Sequence, residues 1–127
     1  TLFVLVLTTA IMAMASSKAT QYPIQEIVGV SFDVNKNLEM IVNVVYPNGC
    51  LHPKSTYGVL HKEHAGIELY HTVQIFEGLC TQAFVQKFPI LEMSKPENGA
   101  YKVLDSISQR YLGELVVDDD NVRFLVP

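Results

Sequence analysis

Four histidines, His52, His61, His64 and His71, lie between two cysteines, Cys50 and Cys80. Imidazole binds zinc or copper and exchanges protons near neutral pH, so this stretch is the first place to seek metal binding or acid–base work. A metal site needs three or four ligand side chains converging about 2 Å from one point. Hairpin geometry tests whether these can. With a four-residue loop over 63–66, His61 faces Glu68 while His71 faces Gly58 on the opposite side of the sheet. With a five-residue loop, Tyr57 and Val59 pair with His71 and Leu69; His61 and His71 then share a face but stand about 13 Å apart. Neither register joins the two strand histidines. His52 and His64, both expected in loops at one end, are the pair that could share a surface copper or zinc ion; the plainer reading makes all four surface or partly buried side chains.

Other chemistry is sparser. Asp118, Asp119 and Asp120 precede Asn121, but they lack the Asp-x-Asp-x-Asp-Gly order and distant Glu of a helix-loop-helix calcium loop. They read as a polar hairpin turn that discourages edge pairing. Gly29-Val30-Ser31 lacks the second glycine of a nucleophile elbow, no glycine-rich phosphate loop is present, and nothing in the spacing of the 13 acids singles out a catalytic pair. No catalytic residue and no cofactor is assigned.

The cysteines point to compartment. An even count in an exported chain reads as a disulfide, with two buried thiols as the alternative. A Cys50–Cys80 bond would close a loop of about 30 residues and stabilise the fold by roughly 3 to 4 kcal/mol.

Export itself rests on the start of the chain. Residues 2–15 carry no charge and are followed by Ser16, Ser17, Lys18 and Ala19. An apolar run of about 14 residues is short for a membrane span, which needs about 20, and suits a signal-peptide core. The rival is a buried N-terminal helix or strand of a cytosolic protein. Cleavage after Ala19 would release a chain starting at Thr20, and cleavage after Ala15 one starting at Ser16; the first is preferred. No basic residue precedes the apolar core and the chain does not open on Met, so the leader, assigned to 1–19, is read as fragmentary. No Cys follows it for lipidation, and the product is expected to be secreted or periplasmic and free of membrane.

The domain that remains, 20–127, is long enough for one core. With Lys18 removed, 8 basic residues oppose 13 acidic ones, a balance near −5. Its lysines and arginines are scattered, which argues against nucleic acid and anionic membranes. Apolar runs with turn residues between them place about eight strands, at 25–34, 38–46, 55–62, 67–77, 80–93, 100–105, 111–117 and 122–126. The run 38–46 is apolar on both faces, as a central strand is. Pro89 cannot donate to a ladder, so 80–93 must run at an edge or bend there. Only 103–111 could form a short helix.

The fold class is therefore all-β: a small sandwich of about seven to eight strands, immunoglobulin-like or of related Greek-key type, although no Trp is present to pack on the disulfide. Small size, stapling and the lack of catalytic motifs favour a non-enzymatic module that binds a protein, peptide or cell-surface component. The competing reading is a small exported metal-binding protein or hydrolase using His52, His61, His64 or His71.

Overall fold

The computed structural model describes residues 17–127 of the chain, which form ten strands. They are β1 (Ser17–Gln21), β2 (Glu26–Phe32), β3 (Leu38–Tyr46), β4 (Leu51–His61), β5 (Gly66–Phe76), β6 (Val85–Lys87), β7 (Ile90–Met93), β8 (Gly99–Asp105), β9 (Tyr111–Asp118) and β10 (Asn121–Leu125). Residues 1–16 of the expected leader lie outside the described residues.

The strands make two sheets packed as a small β-sandwich. One runs β4, β5, β8, β9, β10, with β1 in line with β8 along the same edge of β5. The other centres on β3, with β2 on one edge and β6 and β7 end to end on the other. All pairings are antiparallel except β5 with β8, a parallel contact that wholly antiparallel immunoglobulin sheets lack.

Alternation along the chain explains the core. On β3, Leu38, Met40, Val42, Val44 and Tyr46 are all fully buried, and strands flank it on both sides, as its two apolar faces require. On β5, Ile67, Leu69, His71 and Val73 point inward while Glu68, Tyr70 and Thr72 point outward. The run 80–93 breaks into β6 and β7 at Phe88 and Pro89. Pro89 brings no N–H to the ladder but its carbonyl accepts from Val42 N–H at 3.0 Å, so the strand bends without losing its hold on β3. Residues 106–108 form a turn and no helix. In β9, Gly113 has φ 145° and the Phe124 ring occupies the place a Cβ would take, so only glycine lets β10 close on β9.

One expectation needs correction. The hairpin joining β4 to β5 adopts neither anticipated register: His61 pairs with Gly66, leaving a four-residue loop over 62–65. Ala65 supplies the reason, because its left-handed φ of 49° ends the single 3-10 turn Lys62–His64 and closes the loop one residue early. The sheet's first strand within the described residues starts at Ser17. β1 pairs Ser17 through Gln21 with Phe76 through Thr72, yet Lys18 to Gln21 are all exposed. A strand held by its backbone ladder alone leaves no apolar pattern to read.

Among the described residues the chain crosses between the sheets four times, and each crossing is fastened. At the first, 22–25, Asp105 Oδ1 accepts from Ile24 N–H at 2.9 Å and the Arg110 guanidinium donates to the carbonyls of Ile24 and Gln25. The second and third, 47–50 and 77–84, carry Cys50 and Cys80, which are disulfide-bonded with their Cα atoms 5.3 Å apart. At the fourth, 94–98, Asn98 exchanges two hydrogen bonds with Asp119, and Glu97 O accepts from the Tyr101 hydroxyl at 2.6 Å. Asp119 and Asp120 form the two-residue β9–β10 turn, as expected of the acidic run, with φ 53° at Asp119 and Lys36 Nζ 3.2 Å from Asp120.

Candidate functional site

The histidines are dispersed by the hairpin. β4 and β5 run antiparallel for most of their eleven residues each, so the two ends of the hairpin stand about 30 Å apart at 3.3 Å per residue. His52 sits at the disulfide end, edge-on to the Phe76 ring at 5.2 Å. His64 sits in the loop at the other end, so the structure does not bring His52 and His64 together.

His71 is fully buried in the core. One ring nitrogen, Nε2, lies 2.7 Å from the Tyr46 hydroxyl and the other, Nδ1, 2.8 Å from Thr56 Oγ1. A neutral imidazole has one donor and one acceptor, and both are used in either tautomer. Burial pushes the imidazole below its ordinary 6.5, against a hydrogen bond the ring donates to the Ser55 backbone carbonyl and the nearby Asp105 charge, which raise it. Burial, with Tyr22 beside it, pushes the Tyr46 phenol up to about 12, so it keeps its proton. The group is a satisfied polar knot in the core with no open face for substrate.

A consequence is measurable. The unfolded imidazole titrates near 6.5 and the folded one lower, so between those values the unfolded chain binds the extra proton. This contribution to stability is complete above pH 6.5 and is lost as pH falls through the folded value. In an NMR titration the His71 ring resonance should titrate with a midpoint below the ordinary 6.5. A midpoint at or above the ordinary value would contradict the burial account.

At the hairpin tip the picture is different. His61 Nε2 is 2.8 Å from Glu68 Oε1, His61 Nδ1 is 3.5 Å from Glu63 Oε1, and His64 Nε2 is 3.7 Å from the same oxygen. The two imidazoles stack with centroids 5.2 Å apart. Glu63 is held below the ordinary carboxyl range by its own backbone N–H first, with His64 and His61 adding to it. The sequence offers His52, and not His61 or Glu63, as the partner of His64; which side chains of 61–64 turn towards one another is set by the folded loop.

A second cluster is wholly acidic. Ligand oxygens of Asp33, Glu39 and Glu92 lie within 4.8 Å of one another at the surface. Asp33 and Glu92 share a hydrogen bond that lowers Asp33 and raises Glu92, which relieves the crowding of like charge. A shallow cleft of about 190 Å³ beside the hairpin tip is lined by residues that include Leu60, Lys62, Glu97 and Tyr101, and its lining holds no Ser, Cys or His.

Large exposed apolar groups run from the disulfide end along the β6–β7 edge to the middle of β3. Phe76 closes β5, Leu79 and Phe84 stand on the third crossing, and Phe88 and Ile90 flank Pro89. Leu79 is completely exposed and Phe84 is 80% exposed. The loop that bears them is held in place: Phe76 N–H donates to Cys50 O and Gly49 N–H to Thr81 O, each at 2.9 Å, and Cys80 is bonded to Cys50.

No protein-family model, curated protein or solved structure matches the chain. Among the described residues no helix is long and apolar enough to cross a membrane.

Proposed function

We propose that this chain is an exported, non-enzymatic β domain that binds a protein partner through its disulfide-bonded end. One observation carries the reading: Phe76, Leu79 and Phe84 are all exposed within nine residues of chain, on a segment fastened by the disulfide and two backbone hydrogen bonds. Large apolar side chains gathered on a surface mark interaction sites, and rigid aromatic anchors lose little entropy when buried by a partner. The segment 78–85 holds no charged residue, which suits the desolvated centre of a protein interface. The acidic balance of the whole chain weighs against an anionic lipid surface as the partner.

Export belongs to the same reading, and the position of β1 favours the earlier of the two cleavage sites. Cleavage after Ala19 would cut β1 in the middle, whereas cleavage after Ala15 leaves the whole strand on the domain. The leader then ends at residue 15 and the mature chain starts at Ser16.

Both parts are tested on the secreted protein. Its mass should correspond to an N-terminus at Ser16, and crosslinking in the native medium should capture a defined partner that is lost with Leu79→Ser/Phe84→Ser while the melting temperature stays unchanged. An N-terminus at Thr20 would overturn the cleavage assignment. Capture that is unaffected by the double substitution, or a partner that proves to be a second copy of the chain or a lipid, would overturn the interface.

A further inference from the structure

We infer that the tip of the β4–β5 hairpin is a zinc site, independent of the binding face at the opposite end, in which His61 Nδ1, His64 Nε2 and the Glu63 carboxylate are the ligands and Glu68 is the carboxylate behind His61.

The spacing fits the ion. Bonds of about 2.0 to 2.2 Å in tetrahedral array put neighbouring ligand atoms about 3.4 Å apart. Glu63 Oε1 is 3.5 Å from His61 Nδ1 and 3.7 Å from His64 Nε2, and ligand atoms of the three residues all lie within 4.8 Å of one another. Small side-chain rotations close the remainder. Two imidazoles and one carboxylate favour zinc over calcium or magnesium, which prefer oxygen throughout. Three protein ligands leave the fourth position to water.

Two further observations point the same way. A ligating histidine commonly donates its other ring N–H to a carboxylate, which sets the tautomer and turns the lone pair to the metal. His61 has this arrangement: Nε2 lies 2.8 Å from Glu68 Oε1, leaving Nδ1 towards Glu63, and the other oxygen of Glu68 accepts from Gln109 Nε2 at 3.3 Å. His64 is positioned by the backbone beneath it. A Cβ on Gly66 would come within 2.9 Å of His64 Nδ1, so the ring lies flat on that glycine with its Nε2 directed to Glu63. The left-handed Ala65 and the 3-10 turn fix all three ligands within four consecutive residues on a laddered hairpin.

The test is calorimetric titration of the secreted domain with ZnCl2 at about pH 7.5. One saturable site is expected. His61→Ala/His64→Ala should abolish it, and Glu68→Gln should weaken it roughly 10- to 100-fold without removing a ligand. Gly66→Ala, whose backbone conformation any residue adopts, should displace His64 and weaken binding while the far-ultraviolet circular dichroism is unchanged. Asp33→Asn/Glu92→Gln, in the acidic cluster, should bind zinc as the unsubstituted domain does. Absence of a saturable site, retention of it in the double histidine variant, or its loss in the acidic-cluster variant would each overturn the assignment.

Discussion

Replacing Asp105 with alanine should destabilise the domain by about 2 to 3 kcal/mol, since it leaves the buried Ile24 N–H without its acceptor and unties Ser108 from the end of β8. Asp105 is fully buried at the end of β8. Its Oδ1 accepts from Ile24 N–H at 2.9 Å, and its Oδ2 accepts from the backbone N–H and hydroxyl of Ser108 at 2.8 and 2.7 Å. Ile24 is itself 1% exposed, so its N–H has no recourse to water once the carboxylate is gone. Asp105→Asn keeps one carbonyl oxygen for Ile24 but turns an amide donor towards Ser108; the loss should fall to about 1 to 2 kcal/mol. Urea unfolding of the two variants measures the difference. Equal losses, or an alanine variant as stable as the original, would show that the first crossing is held by Arg110 and packing alone.

Removing the disulfide by Cys50→Ser/Cys80→Ser should cost roughly 3 to 4 kcal/mol, because closing a loop of this length restricts the unfolded chain by that much. The sequence separation is 30. For a domain of this size the loss corresponds to a fall in melting temperature on the order of 15 °C, and dithiothreitol should lower the unsubstituted domain by the same amount. The bond joins the second and third crossings, one on each side of the β4–β5 hairpin, so hydrogen exchange should rise first at 47–50 and 77–84. It should rise least in β3, which has strands on both edges. A change of only a few degrees would mean that the hydrogen bonds from Gly49 and Phe76 hold the crossings without the sulfur link.

The two perturbations act at different places on one plan. Four crossings join two sheets, and each is fastened by local chemistry: a buried carboxylate, a disulfide shared by two crossings, and an Asn–Asp exchange. The disulfide end is thereby rigid enough to display Leu79 and Phe84 to solvent, and the far end leaves the hairpin tip free to hold its histidines.

Much of this was legible in the residues alone. Alternation in 38–46 specified a central strand, the Asp118–Asp120 run specified a turn, Pro89 specified a break in pairing, and two cysteines specified a staple. Each is a local property: side-chain period, backbone freedom, a missing donor, or a covalent partner. The all-β sandwich follows from adding them. Tertiary structure decided what depends on register and on pairs distant in sequence. β1 was invisible because exposed Lys18 to Gln21 are held only by a backbone ladder to β5. His71 could be counted but not placed until Thr56 and Tyr46, 15 and 25 residues away, were seen to satisfy it. The metal-ligating residue types were read from the start, and one anticipated register already set His61 opposite Glu68, yet adding Glu63 and His64 to that pair took the folded loop, in which Ala65 turns left-handed at residue 65. One residue of register reverses the face of every side chain beyond it, and that register is chosen by the packing of the whole sheet.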